Sequence, residues 1–149
     1  MKARGELRIN PGSLEPVTDS AVMQFVVVHS QPAITAAVLR RAADLVAGLN
    51  ASVLLVAVHT VPFPAEFSSA LASHAHLVGE MADLASECAL PVTPHVVMAR
   101  WRDEGLRFLL REESTVLVGS KKRSWPTQEE QLARVLAKDG HKVILLHVD

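Results

Sequence analysis

Short apolar runs alternate with longer amphipathic segments along most of this 149-residue chain. Short runs rich in β-branched residues are typical of buried strands, and the sequence predicts five: 25–28, 53–58, 92–98, 115–118 and 143–148. Between them, apolar positions recur at helical spacing. This spacing predicts helices over 32–50, over 66–89, after Asp103, and over 128–138.

Strands that alternate with helices predict an α/β domain: an open parallel sheet with helices on both faces. We expect five strands in the order 3-2-1-4-5, which makes the first and fourth strands neighbours. The domain should span residues 22–149 as one unit. Residues 1–21 contain glycines and prolines among polar residues and no periodicity, so they are expected to form an extended or mobile leader.

Composition narrows the possible partners. The net charge of −1 gives no overall attraction to nucleic acid or to an anionic membrane. The longest apolar run, residues 53–58, is far shorter than the roughly 20 residues that span a bilayer, and no apolar core of a secretion signal follows the first basic residues. With a single cysteine, Cys88, no internal disulfide is possible. We therefore expect a cytoplasmic protein that binds neither membrane nor nucleic acid.

Residues 115–123 have the most informative pattern. A predicted buried strand ends in Gly119 and Ser120, and Lys121, Lys122 and Arg123 follow directly. In an open α/β sheet, ligands bind beyond the carboxyl ends of the strands, where the strand order reverses. A glycine allows the backbone to approach a ligand, and clustered cations favour an anion. The sequence thus predicts a phosphate or sulfate site here, with a solvated basic loop as the alternative.

Two histidines follow other predicted strands. His29, with Ser30, comes after the first strand, and His59 comes after the second. Both histidines are expected to face the same crevice, where they could bind a metal or titrate near neutral pH. The simpler interpretation is that they are loop residues bonded to backbone groups. No catalytic residue is predicted, because Ser120 lacks the flanking glycines of a nucleophile elbow.

Three short stretches, together with the order of elements, resemble the universal stress protein family over about residues 23–149. They are Val26-Val27-Val28-His29-Ser30, Leu55–Pro62 with its His-Thr-Val-Pro end, and Leu109–Ser120 with its Val-Gly-Ser end. The resemblance implies an adenine nucleotide alpha hydrolase-like fold. It also implies either an ATP-binding member or a member that does not bind ATP.

The motif of the ATP-binding members is incomplete in this chain. They carry an aspartate after the first strand, where His29 stands here. They also carry a glycine, two further residues, a second glycine and, later, a Gly-Ser or Gly-Thr pair. Counted from Gly119, the second glycine falls at Lys122 and the pair at Leu132 and Ala133.

We therefore expect a non-enzymatic regulatory or stress-response domain with a degenerate nucleotide site and no cofactor. The alternative is an ATP- or AMP-binding protein with slow hydrolysis, in which the basic loop after Gly119 replaces the missing glycines. A regulatory module related to the soluble tails of membrane transporters also remains open.

The last predicted strand is strongly apolar, yet it should lie at an edge of the sheet. Exposed apolar edges pair readily with other chains, and the family resemblance implies a homodimer through this strand. The expected interface consists of Val143, Ile144, Leu145, Leu146, His147 and Val148. The alternative is that the leader covers this edge.

Overall fold

The computed structural model describes residues 23–110, 113–121 and 128–148. The predicted leader, Lys122 and Arg123 lie outside these ranges. The strands are β1 (Met23–Val28), β2 (Ala51–Thr60), β3 (Val92–Ala99), β4 (Thr115–Lys121) and β5 (Lys142–Val148). The helices are α1 (Pro32–Leu45), α2 (Leu71–Glu87), α3 (Arg102–Leu109) and α4 (Gln128–Lys138), and a 3-10 turn (Phe67–Ala70) precedes α2.

The sheet confirms the predicted topology. All neighbouring strands are parallel, and their order is β3-β2-β1-β4-β5. β1 pairs with β2 on one side and with β4 on the other, so the order reverses between β1 and β4. This is the point at which the sequence placed the ligand crevice.

Alternate residues of the central strands feed two separate cores, as the pleat of a strand requires. On one face, Val27 packs in a core with residues of α1 and α2, including Val38 and Met81. On the other face, Val26 and Val28 pack in a core with residues of α3 and α4. Helices thus cover both faces of the sheet, which confirms the predicted layers.

The structure differs from the predicted helices in detail. The segment 66–89 is not one helix, because the 3-10 turn precedes α2. Leu71, Val78 and Met81 have the spacing of one apolar stripe in this segment, yet Leu71 and Val78 are 58% and 43% exposed. The side of α2 that packs on the sheet contains Met81 of this stripe together with Leu84. Among the described residues, no helix is long and apolar enough to cross a membrane.

Candidate functional site

The site expected from the sequence lies at the carboxyl ends of β1 and β4. Val28 is the register partner of Val118, so the residues that follow the two strands start side by side. His29 and Ser30 extend from β1, and Gly119 occupies the corresponding part of β4. The structure therefore brings together the β1 and β4 segments that the sequence predicted at this site.

His29 is buried and bonded through both ring nitrogens. Nδ1 lies 2.8 Å from Oγ1 of Thr35 on α1, and Nε2 lies 2.8 Å from Oε2 of Glu80 on α2. The Thr35 hydroxyl also accepts the backbone N–H of Ser30 at 3.1 Å. This set of contacts fits an imidazole that donates from Nε2 to the carboxylate and accepts the threonine proton at Nδ1.

This network joins β1 to both helices on its face of the sheet. Thr35 is 1% exposed, so its hydroxyl cannot serve as an accessible nucleophile. His29 was expected to contact backbone groups through its ring, and it contacts two side chains instead. Unlike the side chains of His29 and Thr35, the side chain of Ser30 is not part of this network. Its Oγ is buried and has no hydrogen-bond partner within the described part of the chain.

Gly119 has a packing reason to be a glycine. A Cβ at this position would lie 2.4 Å from Cγ2 of Val38 and 2.8 Å from Cγ2 of Ile34, both on α1. Carbon atoms pack at about 3.5–4.0 Å, so a side chain fits here only if the side chains of Val38 and Ile34, or α1 itself, shift. Gly119 thus allows α1 to lie directly on β4, whether or not a ligand ever approaches this strand.

The two residues after Gly119 differ in exposure. Ser120 is 1% exposed, and its hydroxyl lies 3.3 Å from the carbonyl oxygen of Lys121. Lys121 is exposed at the end of β4, where its ammonium group is available to an anion. It is the one member of the predicted cation cluster that the structure describes.

His59 belongs to a different contact network from that of His29. Its ring stacks on His74 of α2, with centroids 5.8 Å apart and planes 10° apart. The Ser73 hydroxyl is 3.5 Å from its Nε2. Nδ1 of His59 and Nδ1 of His74 are both buried, and neither has a partner among the described residues.

A shared metal site of His29 and His59 has no support in this geometry, because each histidine contacts its own partners on α2. No group of three or more metal-ligating side chains occurs within residues 23–110, 113–121 and 128–148. Glu80 and His74 were missed from the sequence. They lie six positions apart on α2, and their spacing alone does not relate them to the strand ends.

The two positions reached by counting from Gly119 in the sequence analysis lie away from any loop. Leu132 and Ala133 are in α4 and are 7% and 8% exposed. Leu132 packs in the core that contains Val116 and Val118 of β4. Both positions are therefore core residues of a helix rather than residues of a loop.

The fold has a recognisable relative among solved structures. It resembles the structure of a universal stress protein from Archaeoglobus fulgidus, with a TM-score of 0.56 and 17% identity over 83% of this chain and 92% of that chain. At this identity the likeness shows the fold alone. No family model matches this sequence, and no curated protein matches it either. The described residues thus have a universal stress protein-like α/β fold.

Proposed function

We propose that this chain is a universal stress protein-like regulatory domain that acts in a stress response, has no enzymatic activity and retains only a degenerate nucleotide site. The proposal includes homodimerisation through β5 and a cytoplasmic location. Its fold-level support is the likeness to a universal stress protein. Its chemical support comes from the crevice between β1 and β4.

The single observation that carries the proposal is the hydrogen bonding of the buried His29 ring. Both nitrogens of its buried ring are already within hydrogen-bond distance of Thr35 and Glu80. An adenine or ribose group at this position would have to displace one of these contacts. Leaving a buried polar group without its partner costs about 1–3 kcal/mol, so the network opposes nucleotide entry.

The β4 side of the crevice adds a second obstacle. ATP-binding members hold phosphates with backbone amides of a glycine-rich loop, and each lost charge-assisted bond removes roughly 1.5–3 kcal/mol. The two later positions of that motif are buried core residues of α4. Two or three missing contacts weaken binding by about a thousandfold or more.

Calorimetric titration of the purified chain with ATP tests the degenerate site. We expect no saturation in the micromolar range, and no ATP hydrolysis above the background of buffer. A micromolar or tighter dissociation constant would overturn this part of the proposal, even if the protein proved to act in a stress response.

A second candidate function, nucleotide or phosphate binding through the basic loop, has its own observations. Lys121 is exposed at the end of β4, and the buried Oγ of Ser30, which follows the neighbouring strand β1, lacks a partner within the described ranges. The loop cations would then supply the charge that the missing glycines no longer provide.

Nucleotide that stays with the protein through gel filtration would favour this second function. Lys121→Ala and Lys122→Ala should then release it. Lys142→Ala is the matched control, because Lys142 is also exposed but lies at the amino end of β5. Equal loss in all three variants would indicate nonspecific attraction and would reject a site at the crevice.

A further inference from the structure

A groove lies between α1 and α2 on the face of the sheet that both helices cover. Its volume is about 430 Å³, and its floor is mainly apolar. The apolar lining comes from Ala36, Leu39, Ala43, Leu84, Cys88 and Ala89. A neighbouring depression of about 450 Å³ shares Leu84 and Glu87 with it and continues along α2.

The rim of the groove is acidic. The two depressions are lined by the carboxylates of Asp44, Glu80, Asp83 and Glu87, against the single guanidinium of Arg40. Glu80 is held by His29. Asp44, Asp83 and Glu87 form no ion pair with any residue that the structure describes, and all three are exposed. An apolar segment with positive charges would complement this surface.

The described chain begins beside the mouth of this groove. Met23, the first residue of β1, donates its amide to the carbonyl oxygen of Asn50 at 2.9 Å. Asn50 follows the turn after α1, and the end of α1 supplies Asp44 to the groove. Both helices run antiparallel to the strands, so the carboxyl end of α2, with Glu87, lies at the same end of the sheet.

The sequence that leads into Met23 has the matching chemistry. Residues 2–9 contain Lys2, Arg4 and Arg8 against one carboxylate, Glu6, and they end in Leu7-Arg8-Ile9. Two apolar side chains therefore stand next to the cations. The later part of the leader has the opposite sign, because Glu15 and Asp19 are its charged residues. Only the first part is suited to an acidic groove.

We propose that residues 2–9 of this chain dock in the α1–α2 groove, with Leu7 and Ile9 on its apolar floor and the cations at its acidic rim. The chain between this segment and β1 is long enough to reach the groove. The 13 residues between Ile9 and Met23 are enough, because a random-coil linker of that length has an end-to-end distance of about 20 Å. The part of α2 between Glu80 and Glu87 is about 10 Å long, so the segment reaches the whole groove without strain.

Disulfide trapping tests this docking, because Cys88 is the chain's only cysteine and lines the groove. Gly5→Cys places a thiol within the basic segment and leaves its charges and apolar residues unchanged. The matched control is Gly5→Cys with Cys88→Ala and Glu104→Cys. Glu104 is exposed on α3, which covers the other face of the sheet. Each rate of disulfide formation is then divided by the rate at which the partner thiol reacts with a small thiol reagent. The partner thiol is Cys88 in the test chain and the thiol at position 104 in the control.

With dissolved oxygen as the oxidant that accepts the two electrons, we expect the Gly5→Cys chain to form an intramolecular disulfide about tenfold faster than the control, since docking raises the local concentration of the thiol. Glu87→Lys and 0.5 M salt should both bring the rate down toward the control, because charge attraction is screened. Equal corrected rates for the two chains overturn the proposal. A disulfide that forms between chains, with a yield that rises with protein concentration, overturns it as well and indicates a second copy in the groove.

Discussion

The two edge strands of the sheet differ in the amides that they turn outward. Pro91 lies just before β3, and its carbonyl oxygen accepts the amide hydrogen of Val53 in β2 at 2.9 Å. Because peptide groups alternate along a parallel strand, Pro94 must then face away from β2. Proline has no amide hydrogen. The outer side of β3 therefore lacks a donor near the middle of the strand.

The outer side of β5 has no such interruption. The amide of Lys142 donates to the carbonyl oxygen of Ser114 at 2.9 Å, so Val143, Leu145 and His147 face away from β4. All three residues have amide hydrogens. A single proline thus distinguishes a blocked edge from one that can accept another strand. This contrast supports the proposed dimer through β5 and predicts which substitutions disturb it.

The largest expected effect comes from Ile144→Pro. By the same alternation, the Ile144 amide points inward to β4, where its loss leaves a buried carbonyl without a donor. We expect the free energy of unfolding to fall by about 3 kcal/mol, from the missing bond and the strain of proline within the ladder. Denaturant unfolding measures this at a protein concentration low enough for the parent and both variants to be monomeric, so that loss of the dimer does not enter the comparison. Val143→Pro is the control, and an equal loss in both variants would contradict the assigned facing of the amides.

Val143→Pro should instead separate the dimer. The substitution removes an outward donor at the proposed interface and leaves the bonds to β4 intact. We expect the dimer dissociation constant to rise about a hundredfold, which corresponds to about 2.7 kcal/mol. Sedimentation equilibrium gives this constant. A folded Val143→Pro variant that remains as dimeric as the parent would exclude pairing through this edge.

Two buried glycines allow the halves of the sheet on either side of β1 to be compared directly. Gly119 of β4 lies against α1, and a Cβ on Gly105 of α3 would lie 2.6 and 2.8 Å from the methyl groups of Val58 on β2. Each Gly→Ala change overpacks one half, and such changes destabilise by about 1–3 kcal/mol. We expect Gly119→Ala to lower the free energy of unfolding by an amount in this range, and Gly105→Ala to lower it by about 1 kcal/mol less, because alanine favours the helix α3. Thermal unfolding measures both.

Gly48→Ala is not a suitable control, because Gly48 has a positive φ of 83°, at which an alanine would be strained. Gly79→Ala alone is a good control, since nothing lies within 4 Å of a Cβ there and alanine favours the helix by about 1 kcal/mol. If Gly119→Ala were as well tolerated as Gly79→Ala, the packing explanation for Gly119 would be wrong.

The sheet could be predicted from the sequence because its determinants are local. Apolar runs identify the strands, and the alternation with helices restricts the topology to the order that the structure shows. Helix faces were predicted less well. Leu71 and Val78 have the right spacing for a buried stripe, but the rotation of α2 about its axis depends on the contacts of Met81 and Leu84 with the sheet.

The interior of the candidate site could not be predicted, since its contacts join distant parts of the chain. His29 and Glu80 are 51 positions apart, and no local pattern relates a strand-end histidine to one glutamate on a helix. The sequence drew attention to Gly119, but it could not show why a glycine is needed at this position. A glycine at the end of a strand suggested room for a ligand, whereas the side chain of Val38 on α1 occupies the space beside Gly119.

The smallest expected effect comes from restoring a donor to the blocked edge with Pro94→Thr. Threonine favours strands, and its amide would complete the outer row of β3. We expect the stability of the monomer to change by less than about 1 kcal/mol and weak assembly beyond the dimer to appear at high protein concentration. Sedimentation velocity over a concentration series detects it. In the Pro94→Thr/Val143→Pro double variant the large assemblies should shrink to β3-mediated pairs, because only one edge then remains open. If Pro94→Thr assembled no further than the parent, polar neighbours such as Thr93 and His95, rather than the proline, would be what keeps this edge unpaired.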